Sequence, residues 1–372
     1  MKKMIFAAAL VLMAACTSQN PQGMDAARFD GEIDGKKVAL YTLKAGDITL
    51  QATNFGARVV SIYTPDREGN NVNIVVGHDN LDAYVNPPAE RFFGACVGPV
   101  ANRIGKASFQ LDGVTYNTPT NDNEVNTLHG GFLGLDNVVW DVLKATEDSL
   151  VLFYLHPDGQ EGYPGNLAIT MTYSVDDENQ FCIDYKAQTD KVTPVNITNH
   201  PFFCLRGEGN GTVEDYQMWI KASHYLPIDP LSIPTGEIAS VEGTPFDFRG
   251  GQKIGERINE ENEQLKNARG YDHNWCIDKE TDGVERICYV YDELSGRKVE
   301  VFTDQVGLQF YSGNFFADLE KGSNGRSLGF RSSLALETQG WPDAVNHDNF
   351  PSILLQPGDV YPQTCIYRFS AE

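Results

Sequence analysis

Hydrophobic and polar residues alternate along this chain with a period of two rather than 3.6. The segments 37–43, 48–54, 58–63, 150–155, 167–175, 181–187 and 298–303 are short and rich in β-branched or aromatic residues. Such a period places successive side chains on opposite faces of an extended strand. Asp34-Gly35, Asp112-Gly113, Asp158-Gly159 and Asp282-Gly283 stand between apolar runs and predict turns. Helical spacing is scarce. The sequence predicts one short helix within 251–266 and another at 80–84. Many strands without intervening helices predict an all-β, antiparallel architecture rather than βαβ units. No repeat of 20 to 50 residues is visible, and no Pro/Ser-rich linker divides the chain after residue 25. The expectation is one large β-sandwich domain over 26–372.

Composition agrees with a folded domain of this size. Hydrophobic residues are 41% of 372, enough for a sizeable core, and 35 glycines and 18 prolines can supply many turns. The net charge of −22 repels nucleic acid and anionic lipid surfaces and suits small neutral ligands.

The first residues read differently. Lys2 and Lys3 precede an apolar run over 5–15, which is too short to span a bilayer. The run ends Leu12-Met13-Ala14-Ala15-Cys16 and resembles the lipobox of bacterial lipoproteins. The expectation is a signal peptide over 1–15, a lipidated Cys16, and a polar tether over 16–25. The protein would then be exported and lipid-anchored, periplasmic or outer-membrane associated in a bacterium. A plain secretory peptide with an incidental cysteine is the alternative. The other six cysteines are widely spaced and lack a CxxC pattern, which favours free buried thiols over a zinc knuckle or redox motif.

Candidate chemistry lies on a few polar positions. His129 sits in Asn126-Thr127-Leu128-His129-Gly130-Gly131, where glycines permit a sharp backbone path. His200 ends an alternating run before Pro201. Asp272 and His273 lie between Tyr271 and Asn274-Trp275. Glu337 emerges from the apolar run Leu334-Ala335-Leu336, and burial there would raise its pKa and improve it as a base. His129, His200, Asp272 and Glu337 could converge on zinc, but no HExxH or His-x-His spacing supports a metal site. A structural calcium held by scattered carboxylates stays open, without a contiguous loop to identify it. There is no GxSxG, Walker A or GxGxxG motif. The rings of Tyr271, Trp275, Phe310, Tyr311 and Trp341 are close in sequence to these residues; they either line a carbohydrate site or fill the core.

Seven ordered motifs carry a family resemblance over roughly residues 40 to 368. They are Gly98-Pro99-Val100-Ala101-Asn102-Arg103-Ile104, Asn126-Thr127-Leu128-His129-Gly130-Gly131, Asp158-Gly159-Gln160-Glu161-Gly162-Tyr163-Pro164-Gly165, Asn199-His200-Pro201-Phe202, Tyr271-Asp272-His273, Gln309-Phe310-Tyr311-Ser312-Gly313-Asn314 and Leu336-Glu337-Thr338-Gln339. Together they resemble the aldose 1-epimerase (galactose mutarotase) family. The resemblance implies a β-supersandwich with an open groove for a free aldose such as galactose or glucose. It implies that His200 is the proton donor and Glu337 the acceptor. It also implies that Asn102, Arg103, His129, Asp272 and Gln309 bind substrate, with no cofactor, catalytic metal or obligate protein partner. Pro99 departs from the family, which usually has arginine there. A sugar-phosphate mutarotase, a polysaccharide-active β-sandwich enzyme using Asp272 and Glu337, and a non-catalytic sugar-binding lipoprotein are the alternatives.

Overall fold

The computed structural model describes residues 23–316 and 320–372. Cys16, the signal-like segment and most of the expected tether lie outside them. At the near end, the Met24 N–H donates to Gln51 Oε1, and Asp25 caps the 3-10 turn Ala26–Phe29.

Two large antiparallel sheets dominate. One has nine strands in the spatial order Asp141–Ala145, Ser149–His156, Leu167–Val175, Gln180–Thr189, Tyr361–Ala371, Arg297–Thr303, Glu285–Tyr291, Gln217–Ile220 and Gln252–Lys253. The other has seven: Ala239–Ser240, His224–Tyr225, Asp272–Cys276, Gly307–Tyr311, Leu334–Gln339, Phe202–Phe203 and Val75–Val76. A four-stranded sheet from Leu40–Ala45 to Asn71–Asn73 extends the sandwich. This is the all-β supersandwich that the alternation and the motifs imply.

The period of two builds the core directly. Leu167, Ile169, Met171, Tyr173 and Val175 are buried on one face of their strand, and the residues between them are partly open. Phe181, Ile183, Tyr185, Tyr367, Val299 and Val301 continue that face, and Leu308, Phe310, Leu334 and Leu336 of the seven-stranded sheet complete the same core cluster. The Tyr367 hydroxyl donates to the Leu336 carbonyl at 2.8 Å, joining the sheets by one buried hydrogen bond.

Several local expectations change. The expected strand at 37–43 divides into Lys36–Val38 and Leu40–Ala45. Asn54 causes the break: its Oδ1 accepts from Ala39 N–H and its Nδ2 donates to the Lys37 carbonyl, replacing ladder partners. The helix expected within 251–266 is confined to Glu263–Ala268, capped by Asn262. Gln252–Lys253 is instead an edge strand beside Gln217–Ile220. The helix expected at 80–84 forms as Leu81–Val85, with Asn80 accepting from Ala83 N–H. Asp34-Gly35 and Asp112-Gly113 close two-residue hairpins, with positive φ at both residues of each pair, as primed turns need. The six described cysteines are free thiols, all buried except half-buried Cys182.

Candidate active site

The seven-stranded sheet gives one row of side chains to its core and the opposite row to a cleft. Directly paired residues share a face. Thus Asn274, Gln309 and Glu337 align across three strands, as do Asp272, Tyr311, Ala335 and Phe202. Leu308, Phe310, Leu334 and Leu336, one residue out of phase, enter the core. This register explains why a glutamate can follow two leucines and remain available to a ligand. It also separates the aromatics: Tyr271, Trp275 and Phe310 pack against one another in the core, whereas Tyr311 lines the cleft. Trp341 packs on Phe350 and donates to the Val306 carbonyl. His273 is fully buried against Phe246 and Tyr225, away from the cleft wall.

Loops from the other side bring the remaining groups. A cavity of about 270 Å³ is walled by Asn102, Arg103, His129, His200, Asp272 and Glu337, with Glu90, Arg91, Phe92, Phe202, Tyr311 and Phe315 around them. Six of the seven expected catalytic and substrate-binding residues therefore meet in one cleft. Gln309, the seventh, is not on the wall; its Nε2 donates to Asp272 Oδ1 at 2.7 Å and holds that carboxylate from behind.

His200 ends the strand Thr198–His200, which pairs with Ala95–Val97. Asn199 anchors it by donating to the Tyr173 hydroxyl at 2.7 Å, and Thr198 Oγ1 donates to the Thr338 carbonyl at 2.9 Å. His200 Nε2 thereby faces Glu337 Oε1 at 3.4 Å. Both residues are buried, and neither His200 Nδ1 nor Glu337 Oε2 has a partner. Burial lowers His200 to about 4. Burial also holds Glu337 well above the usual carboxylate range; nearby Asp272 and Glu90 add to this while Arg103 opposes it. Asp272 is likewise raised by burial, against Arg103 and the Gln309 amide.

His129 is fixed from two directions. Its main-chain N–H donates to the Asn102 carbonyl at 2.9 Å, and its Nδ1 accepts the Asn102 main-chain N–H at 3.1 Å. Both residues have positive φ, 58° at Asn102 and 52° at His129. Gly130 completes the bend at φ 89°, where a Cβ would stand 1.9 Å from the Gly98 carbonyl oxygen. The glycine after this histidine is thus required by the close approach of two loops. Phe92 packs against the imidazole with ring centroids 4.6 Å apart.

Several contributors gave no signal in the sequence. Asp122 Oδ2 accepts from Arg103 Nε at 3.1 Å and orients that guanidinium. Arg91 forks onto Asp136 at 2.7 and 2.9 Å. The loop Pro87-Pro88-Ala89-Glu90-Arg91-Phe92 has no period to read, although an acid, a base and an aromatic ring in succession are its one visible cue. Burial raises Glu90 to about 7, with the carboxylate of Glu320 adding to the shift.

Among the described residues, one group offers a possible metal donor set: ligand atoms of His129, His200 and Glu337 lie within 4.8 Å of one another. Asp272 is not part of it, so the four-residue convergence on zinc considered from the sequence does not form.

A buried imidazole–carboxylate pair at the base of a sugar-sized cleft, on a β-supersandwich, defines an acid–base isomerase acting on carbohydrate. Comparison with known proteins agrees. The chain matches the Aldose 1-epimerase family over residues 39–368. It is 40% identical over 336 residues to a galactose mutarotase of Rattus norvegicus, covering 90% of this chain and 95% of that protein. It is 34% identical over 343 residues to an aldose 1-epimerase of Escherichia coli (strain K12), covering 91% and 97%. A solved aldose epimerase homologue from C. elegans superposes with a TM-score of 0.82 at 31% identity, covering 90% of this chain and 99% of that one. A galactose 1-epimerase from Lactobacillus acidophilus gives 0.79 at 27% identity, covering 91% and 96%. The chain belongs to the aldose 1-epimerase family. Its activity is that of an isomerase that interconverts the anomers of aldohexoses.

Proposed function

We propose that the protein exchanges the α and β anomers of free galactose and glucose, with Glu337 as base and His200 as acid. The observation that carries this is the 3.4 Å approach of His200 Nε2 to Glu337 Oε1 in a buried cleft. The C1 hydroxyl oxygen and the ring oxygen are bonded to one carbon, so groups this close can each serve one of them. Ring opening moves the C1 hydroxyl proton to Glu337 while an imidazolium at His200 gives a proton to the ring oxygen. The C1–O5 bond breaks as the C1 carbonyl forms. Rotation about C1–C2 exposes the other carbonyl face, and closure reverses both transfers. No proton is gained or lost.

The cost of this exchange is set by the gap between the two groups. In water the imidazole binds a proton more tightly than the carboxylate, and the imidazolium–carboxylate form is favoured. Burial raises Glu337 and lowers His200, which reverses that bias: the resting pair in the empty cleft is the neutral acid and neutral imidazole, and the reactive imidazolium–carboxylate form is reached by proton transfer from Glu337 to His200. That transfer runs across the 3.4 Å between the two groups and precedes ring opening, where each acts as general acid or base. Asp272, held by Gln309, accepts from sugar hydroxyls, and Arg103, held by Asp122, bears on charge developing at the oxygens. Asn102 lies beside them on the wall. The two arginines lining the cleft already face carboxylates, which favours an unphosphorylated sugar. Turnover is proposed to need no metal or cofactor; activity should survive exhaustive chelation, and restoration by one particular ion would overturn that statement.

The direct test is polarimetry of freshly dissolved α-galactose and α-glucose. The protein should accelerate the approach to rotational equilibrium; a rate equal to that of buffer would overturn the assignment.

We further propose that residues 1–15 direct export and that Cys16 becomes an acylated N-terminus at a bacterial membrane. The support is the basic start, the apolar run and the small residues before Cys16. Removing Lys2 and Lys3 takes the net charge to about −24, which disfavours adsorption onto anionic headgroups and leaves the lipid as the anchor. Cys16→Ser should abolish acylation and release the protein from the membrane fraction with its mutarotase rate intact. Wild-type protein retaining Met1 in the cytoplasm would refute export.

A further inference from the structure

Gln339 lies two residues beyond Glu337 on the strand Leu334–Gln339, so both side chains rise from the same face of the sheet. It is fully buried, and among the described residues neither its Oε1 nor its Nε2 has a hydrogen-bond partner. Turning the amide over changes nothing, because both ends are bare. Leaving such a group unpaired is costly, and native proteins satisfy it with protein atoms or with ordered water.

Gln339 does not stand alone. Asn274 Oδ1 and Glu337 Oε2 are also buried without a partner. The sheet register gathers the three residues into one patch. Asn274, Gln309 and Glu337 form one row, and Cys276, Gly307 and Gln339 form the next. Rows on one face are about 7 Å apart along the strand. Gly307 leaves a gap in the second row. Its φ lies outside the left-handed region, so the backbone conformation does not demand a glycine. The space above it does: a Cβ there would stand 2.6 Å from Asn274 Oδ1 and 3.1 Å from Trp341 Cδ1. The four bare atoms are one donor, Gln339 Nε2, and three acceptors. Water supplies the missing donors, and a polar pocket with several partners is where buried water resides.

We propose that ordered water is held over Gly307 by the Gln339 amide and Asn274 Oδ1 and donates to Glu337 Oε2, which makes Gln339 a positioning residue for the base. The proposal rests on the assignment of Glu337 as base and deepens it. Glu337 Oε1 already faces His200 Nε2 at 3.4 Å. Water at Oε2 holds the carboxyl group by its other oxygen and keeps it from turning about its last bond. A donor at Oε2 also favours the charged carboxylate over the neutral acid, and so favours the form that acts on the sugar. Gln339 is not on the cleft wall, so its effect passes through Glu337 rather than through sugar binding.

A high-resolution crystal structure of the full protein should show water within hydrogen-bond reach of Gln339 Nε2, Asn274 Oδ1 and Glu337 Oε2; a dry site would overturn the proposal. Gln339→Met keeps the length of the side chain and removes its hydrogen bonds. It should lower kcat for mutarotation about tenfold, the equivalent of one hydrogen bond, with little change in KM. The limb of the pH–rate profile on which Glu337 loses its proton should move up by about one unit, because the carboxylate has lost a donor. A fall in kcat with an unmoved limb would reduce Gln339 to a packing role and refute the proposal. Gly307→Ala places a methyl group in the water's space while Gln339 stays intact, and should shift the same limb in the same direction. A wild-type kcat and profile in Gly307→Ala would also refute it. Should Glu337→Gln retain full activity, the base assignment falls even with the water in place. A dry site with an inactive Glu337→Gln would instead remove the water and leave the base.

Discussion

Glu337 stands opposite Gln309 in the sheet register, and Gln309 in turn holds Asp272 by a 2.7 Å hydrogen bond. The proposed base and the carboxylate proposed to hold the sugar are therefore linked through one rigid ladder, with the glutamine between them. This spacing matters electrostatically. Asp272 helps keep Glu337 raised, and the Gln309 amide tempers the rise at Asp272 itself. Removing one member should alter the others without unfolding the sheet, because the ladder is made by main-chain groups.

The acid–base pair gives the first expectation. Glu337→Gln and His200→Asn should each reduce kcat by about 10²- to 10⁴-fold, the usual worth of a positioned proton-transfer group. Circular dichroism and thermal melting should remain close to wild type. Polarimetric rates unchanged in both variants would contradict the pairing seen at 3.4 Å.

Asp122 gives a second expectation. Its carboxylate is the only one seen to orient Arg103 among the described residues, at 3.1 Å. Asp122→Asn keeps the shape but weakens a charge-assisted bond. KM should rise several-fold with a smaller fall in kcat, because Asp122 acts through Arg103. If kcat alone falls, Asp122 has a more direct role than this geometry assigns.

A third expectation tests how the core supports the site. Tyr367 donates to the carbonyl of Leu336, immediately before Glu337, the proposed base. Tyr367→Phe leaves that buried carbonyl without this donor and should cost about 1–3 kcal/mol in urea denaturation. The mutarotase rate of the folded fraction should fall less than tenfold, since the ladder still fixes Glu337. A neutral effect on stability would show that another donor satisfies the carbonyl.

The sequence made the sheets and much of the site readable for physical reasons. Strands such as Leu167–Val175 bury every second side chain, and that alternation is written in the residues themselves. Glu337 was legible because a carboxylate after an apolar run has few solvated positions. His129 was legible because two glycines follow it, and at Gly130 the structure supplies the reason: a Cβ there would meet the Gly98 carbonyl. Asp122 and Glu90 were not. They enter through loops without a period, and their importance depends on which distant residue they meet. Trp275 and Phe310 show the same limit: proximity in sequence to Asp272 and Gln309 left open whether they line the sugar site or fill the core, and a one-residue phase difference sends them into the core. The short helix expected within 251–266 forms at the far end of that segment, because an edge strand and a 3-10 turn take up the residues before Asn262 caps it.

The last expectation concerns acid. His156 is buried between Tyr154 and Tyr163, away from the cleft, and its Nε2 has no partner. Burial lowers it to about 4. An unfolded histidine titrates near 6.5, so above that pH both states are neutral and the group has no effect on stability. Below it, the unfolded chain binds a proton that the folded chain refuses. Stability should therefore fall as pH drops from about 6.5 towards 4, and level off once the folded ring also protonates. For His156 alone the loss at pH 5 is about 2 kcal/mol. His78 and His200, also lowered to about 4, act in the same direction. Glu337 acts oppositely, because its raised pKa makes stability fall as pH rises above the ordinary glutamate value. The whole-protein curve mixes these effects, but comparison with His156→Gln isolates one of them. Glutamine does not titrate, so the difference in unfolding free energy between variant and wild type should shift by about 2 kcal/mol in favour of the variant between pH 7.5 and pH 5. Parallel stability curves over that interval would mean that His156 is protonated in the folded state and that its pocket admits the charge.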